Sequence, residues 1–241
     1  MKECRVDFSG YGTVIKKLVI FGVGLIGGSL ALALRQAGYC ETIVGCSRHA
    51  DNLQTAVDLG VIDSFTLDPQ QAVRGADMIF LAVPVGAMGS VLEQIVPALE
   101  PDAVLTDGGS AKRAIVDAAE AHLGEHLARF VPGHPIAGRE RSGVEAALPD
   151  LYQRRRIILT PAGNRCRCAC QSHGHVEVTG ALIENMPVDL HDEVLAATSH
   201  LPHVLAFSLV DTLLKMPQSE DILRYAAGAS RTLPASPPVI R

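Results

Sequence analysis

The chain has 241 residues, 48% hydrophobic and 20% charged, with a formal net charge of −5. This balance fits one large or two modest globular domains with a substantial core. The absence of a basic stripe argues against nucleic acid as a partner, because the run Arg154 to Arg156 is too short to make one. No apolar run reaches the ~18 residues expected of a membrane span, and the N-terminal MKECRVDFSGYG lacks the pattern of a signal peptide. A cytoplasmic location with free thiols is therefore expected.

In chain order, KLVIFGV (17–23) is a short apolar run ending in glycines, which predicts a buried parallel strand. IGGSLALALRQA (26–37) predicts a helix stopped by Gly38. TIVGC (42–46) predicts a second strand and ADNLQTAVDLG a helix ending at Gly60. MIFLAV (78–83) predicts a third strand, halted by Pro84, with a helix over 87–99. AVLTD (103–107) is another strand, followed by the helix AKRAIVDAAEAHL. FVPGHP (130–135) reads as strand and then loop, and RIILTP (156–161) as a further strand. Strands alternating with helices imply an α/β fold with a doubly wound parallel sheet. From about 190, HDEVLAATSHLPHVLAFSLVDTLLK has apolar residues at helical spacing and no strand signal.

GVGLIGG follows a strand and opens a helix, the context that a dinucleotide fingerprint requires. Gly22 permits the tight turn, Gly24 lets the backbone approach a pyrophosphate, and Gly27 allows helix to pack on strand. Leu25 and Ile26 open the helix whose N-terminal N–H groups favour an anion. LAVPVGA (81–87), with Val83 and Pro84, is expected beside the nicotinamide. Ser47 stands at the end of the second strand, where NAD-specific sites usually carry an acid, and Arg48 follows. A carboxylate would repel a 2′-phosphate, whereas Ser and Arg accept one. NADP is favoured. The alternative is that Arg48 is a solvated loop residue and NAD binds through backbone contacts.

Ligands gather at the carboxyl ends of the strands in such sheets. TDGGSAK (106–112) presents Ser110 there, and PGHPIAG (132–138) presents His134 in a loop stiffened by Gly and Pro. Arg139-Glu140-Arg141 reads as a solvated charge run. Farther on, His200 and His203 are three apart on an expected helix and share a face, with His191 upstream. Each could make structural polar contacts instead of serving a site. No carboxylate joins them at a metal-ligand spacing, so no metal is expected.

Taken together, GVGLIGGSLALAL, LAVPV, DGGSAK, GHPIAGRERSGVEAALPDLYQRRRIILTP and HDEVLAATSHLPHVLAFSLVDTL resemble the prephenate/arogenate dehydrogenase family of tyrosine biosynthesis. The likeness covers most of 15–162 and 178–228. It implies a Rossmann-type domain over 1–180 and a helical substrate and dimerisation domain over 181–241, truncated at its C-terminus. It also implies a homodimer and the NAD(P)-dependent oxidative decarboxylation of prephenate, arogenate or both. In that family pattern His134 matches the catalytic histidine that takes the ring hydroxyl proton, and Ser110 the serine that orients it. Glu140 matches an acid that gates the site, and His191, His200 and His203 match histidines lining the substrate pocket. A different β-hydroxyacid-type dehydrogenase and a catalytically impaired nucleotide-binding remnant are the competing expectations.

Two segments depart from that pattern. In NRCRCACQSHGHV (164–176), Cys166, Cys168, Cys170, His173 and His175 match no zinc-ligand spacing. One allowed set of codons for this segment, read one base later, encodes TDADALARVMGM followed by the start of a Trp codon. One inserted base then returns the frame to Glu177. Likewise, codons from Leu233 read two bases later encode TRIAASDP, a segment the family carries with a substrate-binding arginine. Frameshifts behind 164–176 and 229–241 are therefore expected, and resequencing the gene tests them. With that tail altered, the apolar face of the 191–214 helix is expected to be left uncovered, an aggregation surface unless a partner buries it.

Overall fold

The computed structural model describes residues 14–161 and 177–225. The two segments expected to be frameshifted, 164–176 and 229–241, lie outside these residues, as do all five Cys and His residues of the first. The chain divides into two compact units, 1–189 and 190–241.

The first unit begins with β1 (Ile15–Phe21), whose Leu18, Val19 and Ile20 are all fully buried. Burial on both faces is what a central parallel strand between two helical layers requires. Leu18 and Ile20 pack into one core, with Leu30, Leu34, Ile157 and Leu159. Val19 and Phe21 pack into the other, with Ile79, Leu81, Leu92 and Ile115. The period-2 alternation of one strand thus feeds two hydrophobic layers.

After β1 come α1 (Leu25–Gln36), β2 (Cys40–Cys46), α2 (Ala50–Asp58), β3 (Ser64–Thr66), α3 (Pro69–Val73), β4 (Met78–Leu81), α4 (Met88–Ile95), β5 (Val104–Asp107), α5 (Arg113–His122) and β6 (Phe130–Val131). Helix α1 stops where expected: Gly38 takes φ +64° and its N–H donates to Arg35 O at 3.0 Å, closing the helix end in a conformation that only glycine adopts without strain. The sheet order is β3-β2-β1-β4-β5-β6, every pair parallel. This is the Rossmann arrangement, and its order reverses between β1 and β4, where such sheets open a crevice.

Two elements in this run escape the sequence patterns because they are short. The three residues of β3 pair only along one edge of β2. The five residues of α3 begin at Pro69, with the Asp68 side chain accepting from Gln70 N and Gln71 N at 2.9 and 3.2 Å, a capped helix start readable in the sequence.

A second, three-stranded sheet joins β7 (Gly133–Pro135), β8 (Arg156–Leu159) and β9 (Leu182–Asn185) in the order β7-β8-β9. FVPGHP is therefore two strands, with Pro132 alone between them, and not a strand and a loop. RIILTP does not extend the parallel sheet. It pairs antiparallel with β7 and parallel with β9. Apolar runs announce a strand, but they do not say which neighbour it will meet.

The second unit is helical. Val188–Leu195, a π-helical turn at Ala196–His200 and Leu201–Leu214 follow one another, and Ser219–Tyr225 forms a further helix. Pro202 explains the π turn. It has no N–H for the carbonyl one turn back, and its ring would crowd that carbonyl, so the helix widens ahead of it. The 27-residue helical stretch Val188–Leu214 is long and apolar enough, by length and composition, to cross a membrane. This corrects the sequence expectation of no such run. Scattered His, Ser and Thr residues interrupt the apolar residues without lowering the average enough. Leu201, Val204, Leu205 and Leu209 are each more than half exposed.

Candidate functional site

The glycine turn lies at the switch point of the sheet. Gly22 has φ +88°, and a Cβ there would stand 2.4 Å from Ala82 O. The turn therefore presses against the chain leaving β4, where Ala82 N donates to Phe21 O at 2.8 Å. A Cβ on Gly27 would stand 2.4 Å from Gly22 O, so helix and turn touch through backbone. Gly24 differs: nothing lies within 4 Å of its Cβ position. It caps α1 without any side-chain bond, and no acid occupies the first helical turn. The N–H groups of Leu25, Ile26 and Gly27 are left without intrahelical acceptors, next to the open space at Gly24. This cradle suits a pyrophosphate, and the residues present fit a dinucleotide.

At the end of β2, Ser47 Oγ donates to His49 O at 3.0 Å and accepts from His49 N at 3.4 Å. The turn so formed leaves Arg48 exposed. Among the described residues Arg48 makes no hydrogen bond or ion pair. Asn52, in the first turn of α2, donates from Nδ2 to Val23 O at 2.8 Å, fastening α2 to the middle of the glycine turn. Val83 is half-buried and Pro84 exposed in the loop after β4.

The carboxyl end of β5 holds a buried ion pair that the sequence patterns missed. Lys112 Nζ lies 2.5 Å from Asp107 Oδ2, and both side chains are fully buried. Lys112 Nζ also donates to Gly133 O at 2.6 Å. Asp107 in turn accepts from Gly133 N at 3.1 Å through Oδ1 and from Gly109 N at 2.8 Å through Oδ2. A charge taken out of water needs this many partners. Both polar groups of Gly133 are thereby fixed, one residue before His134. The clue in DGGSAK is an acid on the last residue of a buried strand with a lysine five residues later.

His134 sits on β7, 8% exposed, paired in register with Ile158. Ser110 is exposed in the loop between Asp107 and Lys112. The structure thus ties the serine loop and the histidine strand together through Gly133. Glu140 is exposed in the loop after β7, with Arg139 and Arg141. Within the second unit, His191 is fully buried, with Nδ1 2.7 Å from Asp192 Oδ1. His203 Nδ1 lies 2.8 Å from Ser199 O, and His200 ends the π turn. That turn shifts His191 around the helix relative to the other two, by about 100° for one extra residue. Among the described residues no cluster of three or more His, Cys, Asp or Glu could hold a metal.

The nucleotide-binding domain of prephenate dehydrogenase, as a family model, matches residues 30–181. The chain belongs to the prephenate dehydrogenase family. The family's dimerization domain matches residues 187–237. A cyclohexadienyl dehydrogenase of Zymomonas mobilis is 38% identical over 226 residues, covering 91% of this chain and 75% of that protein. A prephenate dehydrogenase of Bacillus subtilis is 34% identical over 222 residues, and there the chain spans 59% of the relative's length. Among solved structures, Aquifex aeolicus prephenate dehydrogenase in complex with hydroxyphenyl propionate and NAD+ superposes with a TM-score of 0.81 at 37% identity, over 90% of this chain and 76% of that one. Synechocystis arogenate dehydrogenase gives 0.72 at 29%, over 92% and 80%. The match to a nucleotide-binding domain, with NAD+ bound in the Aquifex aeolicus neighbour, gives the chain a nicotinamide cofactor.

Proposed function

We propose that the chain oxidatively decarboxylates prephenate to 4-hydroxyphenylpyruvate, arogenate to tyrosine, or both, as a homodimer. What carries the proposal is the hold of Asp107 and Lys112 on Gly133. It ties the residue before His134 to the carboxyl end of β5, and the glycine turn follows the carboxyl end of the parallel strand β1.

His134 accepts the proton of the ring hydroxyl, and a neutral imidazole near pH 7 suits that task. As the proton leaves, the carbinol carbon becomes a carbonyl and gives up its hydride; the nicotinamide, when bound, supplies the acceptor. The ring carboxylate departs as CO2, and its bonding electrons pass through the diene to the carbonyl oxygen, which regains a proton as a phenol. Ser110 orients His134. Glu140, His191, His200 and His203 contact or screen the substrate.

NADP is the preferred nucleotide in this proposal, with NAD as the alternative. Exposed Arg48 and the absence of a carboxylate at Ser47 support the preference, because a 2′-phosphate needs a cation and no facing acid. The apolar residues exposed on Leu201–Leu214, within the match to the dimerization domain, support the homodimer.

Rates of NAD+ and NADP+ reduction with prephenate and with arogenate test the activity. His134→Asn is expected to bind nucleotide as the wild type does and to lose most turnover. Near-normal turnover in that variant overturns the assignment.

A further inference from the structure

The chain that follows the Glu140 loop returns along the dinucleotide helix. Gly143, at φ +92°, turns it into a 3-10 turn at Val144–Ala146. Leu148 N then donates to Ser29 Oγ at 2.9 Å, and a Cβ on Gly28 would stand 2.9 Å from Ala147 Cβ. Four residues later the hydroxyl of Tyr152 donates to Ile26 O at 2.6 Å. The Tyr152 side chain is 1% exposed. A phenol buried so deeply needs a partner, and burial raises its pKa, so it stays a donor.

The partner it has chosen matters. Ile26 O belongs to the same peptide unit as Gly27 N–H, one of the unpaired donors at the start of α1. A donor on the carbonyl polarises the peptide and strengthens its N–H. Tyr152 also lines a small cleft, together with Phe80, Thr106, Asp107, Gly133 and Pro135. Gly133 and Pro135 flank His134. One side chain therefore holds the anion-binding turn at its tip and borders the same cleft as the support of the histidine strand.

We propose that Tyr152 is a positioning residue that couples dinucleotide binding at the first turn of α1 to the placement of the His134 strand. The inference rests on the proposed function for the role of His134, but not for its test.

The test is hydrogen exchange by mass spectrometry on the full chain, with and without saturating NADP+ or NAD+. In the wild type, nucleotide is expected to slow exchange in peptides covering 22–30 and also in those covering 130–136. In Tyr152→Phe, nucleotide affinity is expected to weaken by about threefold to tenfold, the worth of one hydrogen bond. At saturation that variant keeps the protection at 22–30 and loses it at 130–136. Unchanged exchange over 50–99 without nucleotide shows that the variant is folded. Should Tyr152→Phe not fold, Ser29→Ala, which loosens the same segment at Leu148, is expected to uncouple the two regions in part. Wild-type nucleotide binding without protection at 130–136 overturns the coupling, and so does a folded variant that retains both protections. Absence of turnover with prephenate and arogenate would instead overturn the proposed function and leave the exchange result standing.

Discussion

Lys112 Nζ lies 2.5 Å from Asp107 Oδ2 with neither side chain open to water, and the same lysine holds the carbonyl of Gly133. Removing one member leaves the other charged and buried without its counter-ion. Lys112→Ala is expected to cost about 3–5 kcal/mol of stability, read from urea denaturation. Turnover should fall further than the loss of folded protein explains, because Gly133 is released next to His134. A loss below ~1 kcal/mol would mean that the pair is solvated in solution.

The glycines of the turn separate folding from binding. Gly22→Ala places a Cβ against Ala82 O at a positive φ and is expected to destabilise the fold by about 1–3 kcal/mol for the backbone strain alone. Gly24→Ala meets no neighbouring atom and should change stability by no more than ~0.5 kcal/mol. Its methyl group would occupy the space over the helix N-terminus, so nucleotide affinity should drop roughly tenfold or more, or ~1.4 kcal/mol. Thermal melting and nucleotide titration on both variants check the contrast.

Nucleotide choice should respond to the end of β2. Ser47→Asp puts a carboxylate beside the expected 2′-phosphate, and Arg48→Ala removes its cation. Both are expected to weaken NADP+ by about tenfold or more while leaving NAD+ within roughly threefold. Parallel titrations decide it, and an equal loss for both nucleotides would show that Arg48 does not read the phosphate.

Alkaline pH should destabilise the chain through half-buried Cys40 and buried Cys46. Burial pushes Cys40 and Cys46 from an ordinary 9.0 up to about 11. Above pH 9 the unfolded chain loses these protons while the native state keeps them, so the unfolded state binds fewer protons and stability falls as pH rises. The contribution is complete below pH 9 and lost through about pH 11. Urea midpoints taken from pH 8 to 10.5 should decline, and Cys46→Ala should flatten that slope.

The local signals were mostly legible. The strand before the glycines, the helix closed by Gly38 and the acid-free end of β2 could each be read from neighbouring residues, because each follows from backbone stereochemistry or from period-2 and period-3.6 burial, whereas the loop expected at His134 is a strand. The short β3 and α3 were harder. Three residues do not establish a period, although the Asp68 cap and Pro69 were on view. The π turn was hidden because its cause, Pro202, lies beyond the turn it widens.

The sequence by itself determined that a dinucleotide turn opens a Rossmann-type domain, that a helical region follows it, and which family the residues around His134 resemble. Only the tertiary structure decided which strands of the histidine region pair, and that Lys112 and Asp107 clasp Gly133. It also decided that Tyr152 reaches back 126 residues to Ile26. The physical reason is the range of the forces involved. Glycine conformation and apolar period act over a few neighbouring residues and are written locally. A buried charge or phenol takes whatever partner the folded chain brings within hydrogen-bond distance, and nothing near it in sequence names that partner.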